Sequence, residues 1–221
     1  MRQNIPHTWH SLKAETNCQN RRWIAGTDEV GRGPLAGPVV ATVVVVAPDF
    51  ELPGLTDSKA LSRRHREELF DALTTSNKVH YSISVVSESE IDRVNILQAS
   101  LMAMRQAVES VSVSPEILFI DGNREIPNLS ILNGKQQAVI GGDAIVPAIS
   151  AASVIAKVTR DRIMEEAEQK YPAFSFSRHV GYPTPKHLRE LREHGITPLH
   201  RRSFRPVAEI LESLTRQPQR T

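Results

Sequence analysis

A chain of 221 residues, 40% hydrophobic and 24% charged, is long enough to bury one large core and needs no disulfides to hold it. Its single cysteine, Cys18, excludes a disulfide framework and a cysteine-based zinc site. No apolar run approaches the roughly 20 residues that cross a bilayer, and the N-terminal MRQNIPHTWHSLKAETNCQN has no secretory hydrophobic segment. A soluble, cytoplasmic, monomeric protein is expected. The net charge of +2 says little by itself, but basic residues gather toward the C-terminus. Arg178, Lys186, Arg189, Arg192, Arg201, Arg202, Arg205, Arg216 and Arg220 stand against only Glu190, Glu193, Glu209 and Glu212. Either these line solvated helix surfaces, or they face an anionic partner.

Residues 1–21 are polar and aperiodic and read as a flexible tail ahead of one domain, 22–221. WIAGTD, 23–28, reads as a short strand, and VVATVVVVA, 39–47, as a buried one rich in β-branched residues. A loop marked by Pro and Gly follows, PDFELPGLTDSKAL. Ser62 is placed to cap a helix over 63–75, and HYSISVV, 80–86, is the next strand. Ser87 and Glu90 form a capping box for a helix running to about Val111. EILFIDG, 116–122, and QAVIGGD, 137–143, are strands ending in turns, and a long helix runs from about Pro147 to Tyr171. Thr184 and Pro185 open a short helix that Gly195 stops, and a last helix begins near Pro206. Strands separated by helices tend to pair in parallel, while the first three are close enough for a meander. The pattern is α/β, with a mixed sheet and a helical C-terminal extension.

Asp28, Asp121 and Asp143 each close a strand-like run, and ligand sites in open α/β sheets gather at strand carboxyl ends. Each acid alone reads as a turn residue. Together, and with Glu29, they crowd negative charge that hard divalent ions such as Mg²⁺ or Mn²⁺ relieve. Directly after Asp28 and Glu29 comes a loop with Gly31, Gly33, Pro34, Gly37 and Pro38. Carboxylates, two metal ions and a loop able to approach a sugar–phosphate backbone are the parts of two-metal phosphoryl transfer. Adjacent residues on a strand point to opposite faces. Either the strand ends between Asp28 and Glu29, or Glu29 acts differently, through its carbonyl or a second ion.

Other motifs fit poorly. Gly31-x-Gly33-x-x-x-Gly37 misplaces the third glycine of a dinucleotide fingerprint, and no Lys-Ser/Thr pair follows as in a P-loop. The spacing of His179, His187, His194 and His200 matches neither HExxH nor a zinc finger, so they read as surface or structural groups. A nucleic-acid-binding protein without chemistry has no use for acids beside a phosphate.

GTDEVGRGPLAGPVV, LTDSKALS, FIDG, GGDAIVPAISAASVIAKVTRD, GYPTPKH and HRRSF follow one another in order, and together they resemble the ribonuclease HII family, from Ile24 to about Val207. The resemblance implies a ribonuclease H-like fold with a mixed five-stranded sheet. It implies Mg²⁺- or Mn²⁺-dependent hydrolysis of RNA in RNA–DNA hybrids and incision 5′ of single ribonucleotides in duplex DNA, leaving 3′-hydroxyl and 5′-phosphate ends. Asp28, Glu29, Asp121 and Asp143 match the family's metal-binding acids. Gly31, Arg32 and Gly33 match its GRG element, which senses the ribose 2′-hydroxyl through backbone groups. Tyr182 matches a tyrosine packing near the RNA–DNA junction, and Lys59 a residue meeting a phosphate. Read without the resemblance, Tyr182 is a loop anchor, Arg32 half of a surface ion pair, and Lys59 a solvated lysine. Pro183 departs from the pattern, where a smaller residue is expected. A junction resolvase of the same fold would lack the GRG element and Tyr182.

Overall fold

The computed structural model describes residues 8–17, 20–55, 58, 61–129 and 135–216, the side chains of the last three aside. Its centre is a five-stranded sheet built from β1 (Ile24–Val30), β2 (Val39–Val46), β3 (His80–Val86), β4 (Ile117–Asp121) and β5 (Gln136–Val139). The strand order is β3-β2-β1-β4-β5. β1, β2 and β3 form the antiparallel meander, and β4 and β5 join parallel to β1. The sheet is mixed, as expected.

The continuous apolar run of β2 is explained by burial on both faces: every residue from Val39 to Val46 is buried. Val44 and Val46 enter one core layer, and Val39, Ala41, Val43 and Val45 enter the other. The first layer lies under α2 (Arg63–Thr75) and α5 (Pro147–Lys170), through Leu69, Leu73, Ile149 and Ile155. The second lies under α3 (Glu88–Val94) and α4 (Ile96–Ser110), through Ile91, Ala103 and Val108. α5 crosses β1 so closely that a Cβ on Gly26 would collide with the backbone of Ala148 and Ile149. That contact, which only glycine permits, sets the start of α5 against β1 two residues before Asp28.

Three expectations need correction. Residues 9–16 of the supposed tail form a helix, α1 (Trp9–Thr16), capped by Thr8. Leu12 is fully buried and Trp9 packs edge-on against Phe119 at 5.6 Å. Two apolar anchors three residues apart make too short a stripe to register as periodicity, and tertiary packing holds the helix. The single helix expected over 88–111 is two. Asn95 sits at φ 71°, and its side-chain oxygen accepts from Leu97 N–H and Gln98 N–H, ending α3 and capping α4. β5 stops at Val139. Gly141, left-handed at φ 65°, leads into a 3₁₀ turn, Gly142–Ala144, so Asp143 lies in that turn and not on a strand end.

The C-terminal region, α6 (Phe176–His179), α7 (Pro185–His194) and α8 (Arg205–Arg216), closes around a third apolar cluster with Leu35, Met164, Phe174, Phe176, Leu191 and Val207. Leu35 and Ala36 belong to the loop after β1. The extension therefore folds under the glycine loop.

Candidate functional site

Asp28, Asp121 and Asp143 converge. Each offers a carboxylate oxygen within 4.8 Å of the others, and among the described residues no other set of three His, Cys, Asp or Glu side chains does so. β1 and β4 are parallel neighbours, with Thr27 in register with Ile120, so Asp28 and Asp121 are brought side by side. The 3₁₀ turn brings Asp143: its N–H donates to Asp121 Oδ1 at 3.4 Å, and Ser150 of α5 donates to its carbonyl at 2.5 Å. Burial pushes the Asp28 carboxyl well above its ordinary range, and repulsion from Asp121 and Glu29 pushes the same way. Hydrogen bonds from the Ser153 hydroxyl and from Glu29 N–H, at 2.8 Å, oppose this. A cluster of three carboxylates, Asp28 and Asp143 buried and Asp121 half-buried, is an all-oxygen donor set that fits a hard divalent cation such as Mg²⁺ or Mn²⁺.

β1 continues regularly through Val30, which settles the geometry of the adjacent acids. Glu29 is outside the converging trio. Its carboxylate pairs with Arg32 at 3.2 Å and lines a cleft of ≈ 290 Å³ with Arg32, Asp121, Gly122, Asn123 and Arg124. Burial raises its pKa, and Arg32 pulls the other way. Arg32 is thus the ion-pair partner that the bare sequence allowed, and it also faces the cleft.

The loop after β1 is held from below by two buried arginines. Arg160 of α5 is 1% exposed and Arg201 is 0% exposed. Arg160 donates to the carbonyls of Pro38 (3.0 Å), Ala36 (3.0 Å) and Val180 (2.9 Å). Arg201 donates to Gly31 (2.6 Å), Arg32 (3.1 Å) and Gly37 (2.9 and 2.7 Å). Burial lowers both guanidinium pKa values, to about 10 and about 9, so both stay charged at neutral pH. Gly31 is at φ 103°, and a Cβ there would strike Arg160 and the Pro38 carbonyl. The first glycine of GRG is required both by its backbone angle and by what lies beneath it.

Tyr182 stands beside this loop: a Cβ on Gly33 would lie 3.4 Å from its ring. It is 43% exposed, and a backbone bond from Leu35 N–H to the Gly181 carbonyl at 2.8 Å ties its segment to the loop, which Arg201 N–H also holds through the Leu35 carbonyl at 2.8 Å. The structure thus assembles Asp28, Asp121 and Asp143, with Glu29 and Arg32 alongside, and Gly31, Gly33 and Tyr182 as a neighbouring wall. Lys59 lies outside the described residues. Sequence reasoning missed Arg160 and Arg201. Arg201 was counted with the basic surplus at the C-terminus, but its charge points inward. Arg160 carried a signal, falling four residues after Ala156 and four before Met164 on the buried face of α5.

Solved structures similar to this chain share its fold. A ribonuclease H2 from Pyrococcus horikoshii OT3 superposes with a TM-score of 0.73 at 30% identity, over 88% of this chain and 100% of that one. An RNase HII from Archaeoglobus fulgidus, solved in complex with PCNA, gives 0.67 at 28% identity, over 82% and 94%. These place the chain among metal-dependent nucleases of the ribonuclease H fold. The family model described as Ribonuclease HII matches residues 25–207, and a Ribonuclease HII of Burkholderia pseudomallei (strain 668) is 52% identical over 189 residues, 86% of each chain. The chain belongs to the ribonuclease HII family, whose members cleave the RNA strand of RNA–DNA hybrids.

Proposed function

We propose that this protein also incises duplex DNA on the 5′ side of a single embedded ribonucleotide, by a two-metal hydrolysis leaving 3′-hydroxyl and 5′-phosphate ends. The observation that carries the reading is the convergence of Asp28, Asp121 and Asp143 beside a glycine loop whose carbonyls are fixed by buried guanidinium groups. In this reading the three aspartates hold Mn²⁺ or Mg²⁺, and Glu29, in the adjoining cleft with Asp121, serves a second ion. Bound there, the ions would make a nucleophile of water and offset charge on the leaving oxygen. Asp28, buried between α5 and its acidic neighbours, keeps its place on β1 through Glu29 N–H and Ser153.

Gly31, Arg32 and Gly33 meet the ribose. A 2′-hydroxyl is what separates RNA from DNA at a given position, and a rigid backbone distinguishes them by one hydrogen bond made or left unmade. Sites of that kind reject the analogue lacking the hydroxyl by about 10⁴-fold. Tyr182 packs on the nucleotide next to the ribose at the junction, and Lys59 meets a phosphate. Among the described residues no helix is long and apolar enough to cross a membrane, and we take the enzyme to act in the cytoplasm as a monomer.

The test is a duplex DNA carrying one ribonucleotide, incubated with Mn²⁺ or Mg²⁺. A nick 5′ of the ribonucleotide with a 3′-hydroxyl end is expected, and the all-DNA duplex should stay intact. Cleavage on the 3′ side, a cyclic phosphate product, or cutting confined to continuous RNA would overturn it.

A further inference from the structure

Behind Tyr182 lies a chain of buried imidazoles that the chemistry does not use. His179, His187 and His200 are 6%, 0% and 2% exposed, and His179 stacks on His187 with centroids 4.2 Å apart and planes at 11°. Backbone groups at the ends of the chain fix every proton. Thr197 N–H donates to His200 Nδ1 at 2.9 Å, so the proton of neutral His200 sits on Nε2. That Nε2 faces His187 Nε2 at 3.0 Å, so His187 accepts there and carries its own proton on Nδ1. His187 Nδ1 then donates to the Tyr182 carbonyl at 2.9 Å. Gly181 N–H likewise donates to His179 Nδ1 at 3.1 Å, leaving its Nε2–H for Glu190 at 2.9 Å. A neutral imidazole has one donor and one acceptor nitrogen, and here each finds its complement.

The segment held this way is strained. Val180 sits at φ 41°, a left-handed conformation that β-branched residues rarely adopt and that persists only where the surroundings over-determine it. Arg160 holds the Val180 carbonyl, Leu35 N–H the Gly181 carbonyl, and Tyr182 N–H bonds the His179 carbonyl at 2.8 Å.

We propose that His187, its tautomer set by His200, is the positioning residue for Tyr182, and that this imidazole chain fixes the tyrosine ring against Gly33 and so sets recognition of a lone ribonucleotide. This rests on the reading that Tyr182 packs at the RNA–DNA junction, and the experiment separates the two. The protein contains three tyrosines, so 3-fluorotyrosine labelling gives three ¹⁹F signals, with that of Tyr182 identified by its loss in Tyr182→Phe. In His187→Leu, which removes the donor to the Tyr182 carbonyl, the Tyr182 signal should shift or broaden and the other two stay. Incision at a single ribonucleotide should fall roughly tenfold, the lower end of the range for a lost aromatic packing contact. Cleavage of continuous RNA in a hybrid should fall less, and the Mn²⁺ midpoint should hold. His187→Asn, whose amide can replace Nδ1–H, should restore most of the signal position and the rate. An unmoved Tyr182 signal in His187→Leu overturns the positioning role. A moved signal with both substrates slowed equally supports the positioning role and overturns the junction reading of Tyr182. Should His187→Leu not fold, His200→Asn keeps an acceptor for Thr197 N–H while removing the proton that fixes His187. It should displace the same signal, and an unmoved signal there overturns the proposal equally.

Discussion

Two walls of one site bury charge of opposite sign, on opposite terms. On the acidic wall, Asp28, Asp121 and Asp143 bring carboxylate oxygens within 4.8 Å of one another, and burial with mutual repulsion holds Asp28 toward its neutral form. In the proposed reading, that wall is finished by a cation. On the basic wall, Arg160 and Arg201 are buried as deeply, yet their N–H groups are matched to loop carbonyls, and the imidazoles beside them are neutral with each proton assigned. That wall is complete as folded. Chemistry belongs where charge is left to be met from outside, and recognition belongs where nothing has to move. Substitutions should therefore fail differently on the two sides.

The largest effect is expected on the acidic wall. Asp121→Asn keeps the side-chain shape and removes a carboxylate from the trio. Cleavage should fall by on the order of a thousandfold, the scale of losing a charge that supports a transition state, while affinity for an uncut hybrid holds. Single-turnover rates beside binding titrations measure this. A near-normal rate would remove Asp121 from the metal site.

On the basic wall the loss should appear as stability. Arg201→Met leaves the carbonyls of Gly31, Arg32 and Gly37 without their shared donor. Stranding buried acceptors costs about 1–3 kcal/mol, and at the upper end the melting temperature drops by roughly 6–12 °C for a chain of this size. Full stability in the variant would show that the loop holds its shape without the guanidinium.

The same contrast explains what could be read in advance. The acids were visible because strand-like runs in the sequence end at Asp28 and Asp121; β1 in fact runs on to Val30, but its parallel pairing with β4 still places the two side by side. Asp143 was visible as a residue but not as a position, since it is carried by a 3₁₀ turn that begins only after β5 has made its last pairing, at Val139. Arg160 and Arg201 were hidden because a charge in a sequence reads as surface, and only tertiary structure reveals carbonyls waiting beneath. The histidines were read as surface or structural groups, and the proton order of the buried ones depends on the backbone of Gly181, Tyr182 and Thr197, which no spacing encodes. Trp9 and Leu12 were lost in a polar segment because a one-turn stripe has no measurable period.

A pH series reaches the basic wall without mutation. Burial, reinforced by neighbouring histidines, holds His187 and His200 at about 4, against an ordinary 6.5. His179 is also lowered by burial, with Glu190 opposing. At these histidines the unfolded chain takes up protons below about pH 6.5 that the folded one refuses until about pH 4, so their contribution to stability is level above about pH 7 and declines as pH falls through that window. Without a cation Asp28 and Glu29, raised by burial, contribute with the opposite sign. Each such histidine costs the fold about 1.4 kcal/mol for every pH step of one below its unfolded value, so the pair should remove about 2–3 kcal/mol by roughly pH 5.5. Urea unfolding from about pH 8 to about pH 5 in saturating Mn²⁺, which keeps the acidic wall ionised, measures it. A flat profile would mean that the imidazoles titrate in the fold as they do in the unfolded chain.

The smallest effect has the opposite sign to the largest and comes from the same substitution. In the absence of divalent ions, Asp121→Asn should make the protein more stable, because one carboxylate fewer crowds Asp28 and Glu29, both of which feel Asp121 as repulsive. The amide oxygen can still accept from Asp143 N–H, so the turn keeps its tie. Relief of such functional strain typically yields about 0.5–2 kcal/mol, here a rise of roughly 2–4 °C per kcal/mol in EDTA. Mn²⁺ should then reverse the order. A ligand at a hundred times its dissociation constant stabilises the folded state by about 2.7 kcal/mol, and the wild type, with all three carboxylates, should gain more of this than the variant. Melting curves with and without Mn²⁺ should therefore cross. If the variant melts lower than the wild type even in EDTA, the three carboxylates are not in conflict, and the acidic wall is as complete without a cation as the basic one.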